Sequence, residues 1–227
     1  MESYDDYMDN CTKSLASYGW TFPIDFSPAQ IDELVTGSHD RLDVDKFFIE
    51  HYSNDLKLFQ MFNFVYSAVL YDKWYKLIEQ CIRTYRSGLY LVTVPALIIV
   101  IEGAIANLCS TSNTGIIDLC KEREEKMEPF SARKYLWKSF NYFALQLYES
   151  KSFDKERPQL INRHWILHGR DSYEWNQADC LRIFQALYTL ESAERNNQQP
   201  LKRKFLRENY IGEDEGRTSC NDISTDT

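Results

Sequence analysis

Residues 157–170 concentrate the side chains of this sequence that are best suited to acid–base chemistry. The segment holds three arginines and two of the four histidines in the chain, namely Arg157, Arg163, His164, His168 and Arg170. An imidazole exchanges a proton near neutral pH, and a guanidinium holds a phosphate and offsets the negative charge that develops on it. This combination is suited to cleavage of a phosphodiester in RNA by a scheme that requires no metal ion.

The spacing of these residues leaves two arginine–histidine pairs open. Arg163 and His168 are five residues apart, which corresponds to about 140° around a helix. They converge only if the helix ends near Gly169 or if two chains contribute to one site. Arg157 and His164 form a second pair of the same kind. An ordinary structural role is also open, since the helix dipole stabilises a histidine near a helix C-terminus.

The composition excludes several classes of protein. The chain has 227 residues, of which 44% are hydrophobic and 15% aromatic, enough for one packed domain with flexible ends. The formal net charge of −8 does not suit a protein that tracks many phosphates, so contact with nucleic acid must use a local basic cluster. The same charge argues against binding to an anionic membrane surface.

The cysteines and the chain start indicate a cytoplasmic protein without a metal or other cofactor. None of the six cysteines forms a Cys-x-x-Cys pair, so we expect free buried thiols and no zinc site. The acidic start lacks the basic region of a signal peptide. The most apolar run, residues 94–101, stops at Glu102, well short of the roughly 20 residues that span a bilayer.

Apolar residues recur at helical spacing through most of the chain, which predicts an all-α, single-domain helical bundle. Residues 1–27 are expected to form an irregular segment packed on a helical domain at 28–196, and residues 197–227 a polar, mobile tail. The predicted helices cover residues 28–34, a stretch from 43, 56–67, 71–87, 90–108, 113–125, 131–149, 159–168 and 176–194.

The nearly uniform apolar character of residues 90–108 predicts the buried central helix of the bundle. Because proline is costly inside a helix, we expect this helix to start near Val94, with Pro95 in its first turn. Pro158 is expected to open the helix that carries the arginines and histidines.

The segment Asn162-Arg163-His164-Trp165-Ile166-Leu167-His168-Gly169 resembles the motif of HEPN-domain proteins: an arginine, a short spacer that begins with a polar residue, and a histidine. It looks closest to bacterial HEPN-like proteins whose motif reads N-R-H-x-x-L-H-G. Further matches in order are Gly19-Trp20 with Pro23, Gly88-Leu89-Tyr90, Val94-Pro95-Ala96-Leu97, Ile101-Glu102-Gly103 and the apolar run in residues 179–184. The resemblance covers about residues 19–192.

The resemblance implies a helical bundle that forms a homodimer in which two motifs face each other in one cleft. It also implies a metal-independent endoribonuclease, plausible as a toxin or phage-defence effector with a regulatory or antitoxin partner protein. In that activity His168 is the acid/base at the scissile phosphate, Arg163 stabilises the transition state, and His164 orients or contacts the phosphate. Glu102 holds the arginine or a histidine from the neighbouring helix, and Asn162 shapes the helix.

Two other functions are open from the sequence. The chain could be a non-catalytic helical dimer that scaffolds or regulates a partner, with Arg163 and His168 making interface hydrogen bonds. It could also bind nucleic acid without cleaving it, using a modest set of basic residues: Arg157, Arg163, Arg170, Arg182 and Lys202-Arg203-Lys204. Arg157 and Arg170 are the expected RNA-binding residues under the ribonuclease hypothesis as well.

Overall fold

The computed structural model describes residues 3–37, 39–108, 115–171 and 174–195, which form ten α-helices and no strand. They are α1 (Tyr4–Ser17), α2 (Pro28–Thr36), α3 (Arg41–Tyr52), α4 (Asp55–Ser67), α5 (Tyr75–Arg86), α6 (Tyr90–Leu108), α7 (Ile116–Glu125), α8 (Ala132–Leu147), α9 (Arg163–Leu167) and α10 (Gln177–Glu194), with a 3-10 helix at Val69–Trp74. One continuous hydrophobic core draws side chains from all ten helices. The predicted all-α fold is confirmed, and the predicted tail at 197–227 lies outside the described residues.

Side-chain caps determine where most of these helices begin. Ser27 precedes Pro28 and forms a capping box with Gln30, as the sequence predicts for the start of α2. Asn54 caps α4 and separates it from α3, so the predicted stretch at 56–67 belongs to a helix of its own. At the other end of α5, Gly88 adopts a left-handed φ of 73° and ends the helix.

The N-terminal segment differs from the prediction, because Tyr4–Ser17 is a helix and not irregular chain. Its apolar side packs on α8, with Leu15 only 1% exposed. Its acidic side also contacts α8, since Lys138 binds Asp9 at 2.6 Å. Its buried residues recur at spacings of three and four, so the helical pattern is present in the sequence although the segment is polar overall: Met8, Cys11, Thr12, Leu15 and Ala16.

The most enclosed helix is α10, and not α6 as predicted. α10 packs against α3, α4, α6 and α8, and its buried residues include the polar Arg182, Gln185 and Thr189. Only 44% of the most apolar stretch of α6 is buried, and Val92 and Ile99 are exposed. The polar residues of α10 have hydrogen-bond partners elsewhere in the fold, so burial does not require an apolar sequence.

α6 begins at Tyr90, so that Pro95 lies in its second turn and not in its first. The bond that proline cannot make would reach the carbonyl of Leu91, an exposed residue whose carbonyl can be satisfied by water. Among the described residues, α6 is the one helix long and apolar enough to cross a membrane by length and composition, with a mean hydropathy of 2.1. The core helix of a soluble protein passes the same test, and α6 contributes its buried side to the core.

Residues 18–26 cross α10 and are fixed there by buried polar contacts. Trp20 stacks on Phe48 with ring centroids 3.8 Å apart. The Phe22 amide donates to Ser139 Oγ at 2.7 Å, and Gln185 Nε2 donates to the Phe22 carbonyl at 3.1 Å. Gly19 has a φ of 84°, and a Cβ there would lie 3.2 Å from the Arg182 side chain. A larger residue is therefore disfavoured both by the backbone conformation and by the lack of space.

The buried carboxyl of Glu191 on α10 makes the stability of the fold depend on pH. Glu191 is 4% exposed, and burial raises the pKa of its carboxyl to about 7, although Arg195 acts in the opposite direction. Because this folded-state pKa lies above the ordinary value of 4.5, the folded chain favours the protonated form. The resulting stability is fully present below the unfolded pKa and is lost as the pH rises through about 7.

We therefore expect Glu191→Gln to raise the free energy of unfolding by on the order of 2 kcal/mol at pH 8, since each pKa unit corresponds to about 1.4 kcal/mol. At about pH 4 the variant and the wild type should be nearly equal, because the carboxyl is then protonated in both states. Urea unfolding at the two pH values measures this, with the exposed Glu50→Gln as the matched control. A Glu191→Gln protein less stable than wild type at pH 8 would contradict the prediction.

Candidate functional site

The side chain of Asn162 determines where α9 begins. Its Oδ1 accepts a hydrogen bond from the Trp165 amide at 3.2 Å, and its Nδ2 donates to the Glu149 carbonyl at 2.9 Å. Asn162 itself has an extended backbone, which prevents the helix from starting earlier. The helix predicted for 159–168 is therefore limited to Arg163–Leu167, and the start of α9 is attached to the end of α8.

α9 ends before His168. Gly169 takes a left-handed φ of 65°, and the Arg170 amide donates to the Trp165 carbonyl at 2.8 Å. This closing turn needs a residue that tolerates positive φ, which explains a glycine at this position. A helix that ends here meets the first of the two conditions under which Arg163 and His168 can converge.

His164, half-buried in the first turn of α9, and His168, exposed just beyond its end, have their ring centroids 4.7 Å apart. Phe153 stacks on His164 at 4.6 Å with the two rings nearly parallel, and it meets His168 edge-on at 5.9 Å. The guanidinium of Arg170 lies 5.2 Å from the centre of the Phe153 ring. We refer to Phe153, His164, His168 and Arg170 as the histidine cluster.

The sequence analysis did not predict Phe153 as a site residue. It lies in an irregular polar stretch between α8 and α9, where no periodic pattern indicates what an aromatic side chain contacts. The residue type alone could have indicated that Phe153 packs against another side chain, since a phenylalanine among Ser, Lys, Asp and Glu is unusual for a solvated loop. It is 37% exposed even in the cluster.

Arg163 is held by Glu102 of α6. Its Nε donates to Glu102 Oε1 at 2.5 Å, with about a third of the arginine side chain and a quarter of the glutamate side chain exposed. Within the described part of the chain, the two terminal nitrogens of Arg163 make no hydrogen bond. The ion pair therefore fixes the guanidinium through one edge.

A glycine is required at position 103, next to Glu102, because α6 and the 3-10 helix at Val69–Trp74 approach each other closely there. A Cβ at this position would lie 2.2 Å from the indole of Trp74. The 3-10 helix that carries Trp74 thus packs directly on α6 at the level of the ion pair. The Ile101-Glu102-Gly103 match accordingly combines a core residue, an ion-pair partner and a packing glycine.

Tyr148, the residue that follows α8, has a buried hydroxyl. Tyr148 is the C-cap residue of α8. On either side of it in the sequence, the carbonyls of Gln146 and Glu149 accept hydrogen bonds from Asn162 Nδ2, at 3.4 Å and 2.9 Å. Burial raises the pKa of its phenol well above 10.0, and the nearby carboxylate of Glu102 raises it further. Among the described residues, its hydroxyl has no hydrogen-bond partner.

Arg157 has an internal partner as well. Its Nε donates to Asp171 at 2.7 Å, and the Asp171 side chain is 2% exposed. The contact connects the two ends of residues 157–171. No hydrogen bond joins Arg157 to His164, which packs on Phe153 and His168 instead, so the structure does not bring the second arginine–histidine pair together.

His168 and Arg170 of the histidine cluster are exposed at the surface, outside the two cavities nearest in sequence. An open polar cavity of about 750 Å³ is lined by residues 149–152 and 154–159, and a neighbouring one of about 420 Å³ is lined in part by Arg41 and Tyr18. Neither is lined by Arg163, His164 or His168. A second protein surface placed over α9 would be needed to enclose these three side chains.

In the described part of the chain, no group of three or more His, Cys, Asp and Glu residues is arranged to hold a metal ion. Cys11, Cys81, Cys120 and Cys180 are buried thiols that form no disulfide, as predicted. Burial raises the pKa of Cys81 to about 12, which makes it a poor nucleophile. Cys109 and Cys220 lie outside the described residues.

Comparisons with protein-family models, curated proteins and solved structures found no match to this chain. The resemblance to HEPN proteins therefore depends on the motif residues and their order.

Proposed function

We propose that this protein is a metal-independent endoribonuclease of the HEPN type, which acts as a homodimer with a composite active site. The observation that carries the proposal is the pair of imidazoles, half-buried His164 and exposed His168, whose ring centroids are 4.7 Å apart. Arg163 precedes His164 in the chain and is held by Glu102. Imidazoles, which can give and take a proton, and an oriented cation are the kinds of group that metal-free RNA cleavage requires.

In the proposed reaction the 2′-oxygen of a ribose attacks the adjacent phosphorus, and the bond from phosphorus to the 5′-oxygen breaks. A base takes the proton of the 2′-hydroxyl, and an acid returns a proton to the leaving 5′-oxygen. His168 is exposed and acts as the acid/base group, and His164 contacts the phosphate. Arg163 offsets the charge on the phosphorane-like transition state. The products carry a 2′,3′-cyclic phosphate and a 5′-hydroxyl.

An exposed apolar face on α6 supports the homodimer. Val92 and Ile99 are exposed. Ile99 comes seven residues after Val92, and Glu102 comes three residues after Ile99, so the three residues share one side of the helix. Leu167 of α9 is also exposed. A second copy that covers Val92 and Ile99 lies within one helical turn of Glu102 and its partner Arg163, and so brings another motif to the same place.

We expect Ile99→Glu to raise the dimer dissociation constant at least about tenfold, because a charge would have to be buried in an apolar contact. The fold should persist, since Ile99 is 48% exposed in one chain. Sedimentation equilibrium measures the effect, with Leu42→Glu as the control at another exposed apolar position. Unchanged dimerisation of Ile99→Glu would exclude this face as the interface.

The experiment that tests the function is incubation of the purified protein with total bacterial RNA in EDTA, with the fragments and their 3′ ends read on a gel. Cleavage that leaves cyclic phosphate ends supports the proposal. Intact RNA in the presence of a folded dimer would overturn it in favour of the second candidate function.

That second candidate is a non-catalytic helical dimer that scaffolds or regulates a partner. It is favoured by one observation, which is that two arginines of the segment already bind carboxylates within the chain, Arg163 to Glu102 and Arg157 to Asp171. Under this function the arginines stabilise the fold, and His168 contributes to an interface.

In the cell we propose a cytoplasmic toxin or phage-defence effector with a regulatory or antitoxin protein partner. The formal net charge of −8 suits a partner with a basic surface. Arg170, exposed at the histidine cluster, is the arginine of the segment best placed to contact RNA, while Arg157 would have to leave Asp171 to do so.

A further inference from the structure

Phe153 is the aromatic residue of the histidine cluster that remains partly open to solvent. Its side chain is 37% exposed, and residues 149–157 contain no other apolar residue. The contacts of its ring with the cluster hold it at the surface instead of in the hydrophobic core. An aromatic face in this position, beside two imidazoles, is surface that a flat ligand can cover.

The Phe153 ring already binds one flat heteroaromatic group by parallel stacking. The His164 imidazole lies on it with centroids 4.6 Å apart and an angle of 3° between the two planes. A nucleobase is also a flat heteroaromatic ring, and bases of single-stranded RNA stack on phenylalanine and histidine side chains in the same way. Phe153 and His164 therefore form a short stack that a base can extend.

Two cations beside Phe153 are suited to the phosphates that accompany a base. The guanidinium of Arg170 lies 5.2 Å from the centre of the ring, and Lys155 is exposed two residues further along the chain. Within the described residues neither side chain binds a carboxylate, in contrast to Arg157 and Arg163. Aromatic faces combined with nearby cations are the means by which proteins bind single-stranded nucleic acid, and a local pair of cations provides this despite the net charge of −8.

We propose that Phe153 and Arg170 form a subsite for an unpaired nucleobase next to the scissile phosphate, with the base stacked on Phe153 and its phosphate bound by Arg170. This inference rests on the proposed function for the position of the scissile phosphate, whereas the stacking requires only an RNA strand. The ribose and phosphate of a base on Phe153 extend past the His168 ring, whose centroid is 5.9 Å from that of Phe153.

The subsite selects RNA by its structure. In an RNA duplex both faces of each base are covered by neighbouring bases, so a protein contacts the 2′-hydroxyls and phosphates and not the base faces. A base can stack on Phe153 only when it is unpaired. The expected substrate is therefore a single strand, a loop or an unpaired end.

The test is RNA binding by the His168→Ala protein, in which the proposed acid/base group is absent and the probe stays intact. The probe is a short fluorescent RNA without self-complementarity, either alone or annealed to its complement, and fluorescence anisotropy gives Kd. Adding Phe153→Ala should raise Kd for the single strand about tenfold, as expected for the loss of one base–aromatic stack. Kd for the duplex should stay within about twofold.

Two further variants control for the aromatic face and for general exposure. Phe153→Trp retains an aromatic face, so Kd for the single strand should stay within about threefold. Phe130→Ala is the matched control, because Phe130 is 73% exposed in the connection between α7 and α8, and it should leave Kd for both RNAs unchanged. Equal weakening of both RNAs by Phe153→Ala would overturn the subsite, because it would come from displaced phosphate contacts, which the two RNAs share.

The salt dependence of binding separates the phosphate contact from the stack. Arg170→Met should weaken binding of the single strand and reduce the slope of log K against log salt by about 0.7, the contribution of one phosphate contact. Phe153→Ala should leave this slope unchanged, because stacking releases no counterion. An unchanged slope in Arg170→Met would overturn the assignment of Arg170 to the subsite.

Binding and cleavage together distinguish this inference from the proposed function. Single-strand binding that depends on Phe153, without cleavage by the wild-type protein, would keep the subsite and remove the ribonuclease. Cleavage by the wild type with equal Kd in the presence and absence of Phe153→Ala would keep the ribonuclease and remove the subsite. A folded protein that binds neither RNA would also overturn the subsite.

Discussion

Replacement of His168 by alanine is expected to lower RNA cleavage by about 10²–10⁴-fold, the usual contribution of one acid/base group. The side chain is exposed just beyond the end of α9, and its ring contacts are with His164 and Phe153. Little packing is lost when it is removed, so the free energy of unfolding should change by less than about 0.5 kcal/mol. The dimer should also persist.

The measurement is the initial rate of cleavage of a defined RNA in EDTA, for wild type, His168→Ala and the control His39→Ala. His39 has the same side chain but lies between α2 and α3, outside the motif. Equal rates for wild type and His168→Ala would remove His168 from the mechanism. A His168→Ala protein that loses its dimer instead of its chemistry would favour the scaffold function.

Local sequence signals predicted the parts of the site that depend on short-range structure. Gly169 indicated the end of α9, because a closing turn requires positive φ, and Asn162 was expected to shape the helix. The partners of the site could not be found in this way. Phe153 packs on His164 and Asp171 binds Arg157 through the irregular connections on either side of α9, and no periodic pattern encodes such contacts.

The same distinction applies to the fold. The helix boundaries from Ser27-Pro28, Gly88 and Ser131 follow from caps that a sequence displays. The choice of central helix does not, because it depends on whether buried polar residues find partners. α10 carries polar residues among its apolar ones, and three of them, Arg182, Gln185 and Thr189, are buried. Each of the three has a hydrogen-bond partner more than 100 positions earlier in the sequence.

Arg182→Met should therefore have one of the largest effects on stability of any single substitution in this chain. The Arg182 side chain is 2% exposed, and it donates to Asp45, to Asp179 at 2.6 Å and to the Tyr18 carbonyl at 3.3 Å. Its loss leaves two largely buried carboxylates without their cation. Breaking a buried pair in this way costs about 3–5 kcal/mol, a large part of the total stability of a domain.

Arg83→Met is the control that separates burial from ion pairing. Arg83 binds Glu79 at 2.7 Å, as close as the buried pair, but the arginine side chain is 61% exposed, so its loss should cost less than about 1 kcal/mol. Adding Asp45→Asn to Arg182→Met should recover part of the lost stability, because the amide carries no charge and its oxygen still accepts from Trp20 Nε1. Urea unfolding of the three variants measures both effects. If Arg182→Met cost no more than Arg83→Met, the attachment of residues 18–22 to α10 would have to come from the hydrogen bonds of Thr21 and Phe22 with Gln185 and Thr189, and the buried charges would be incidental to it.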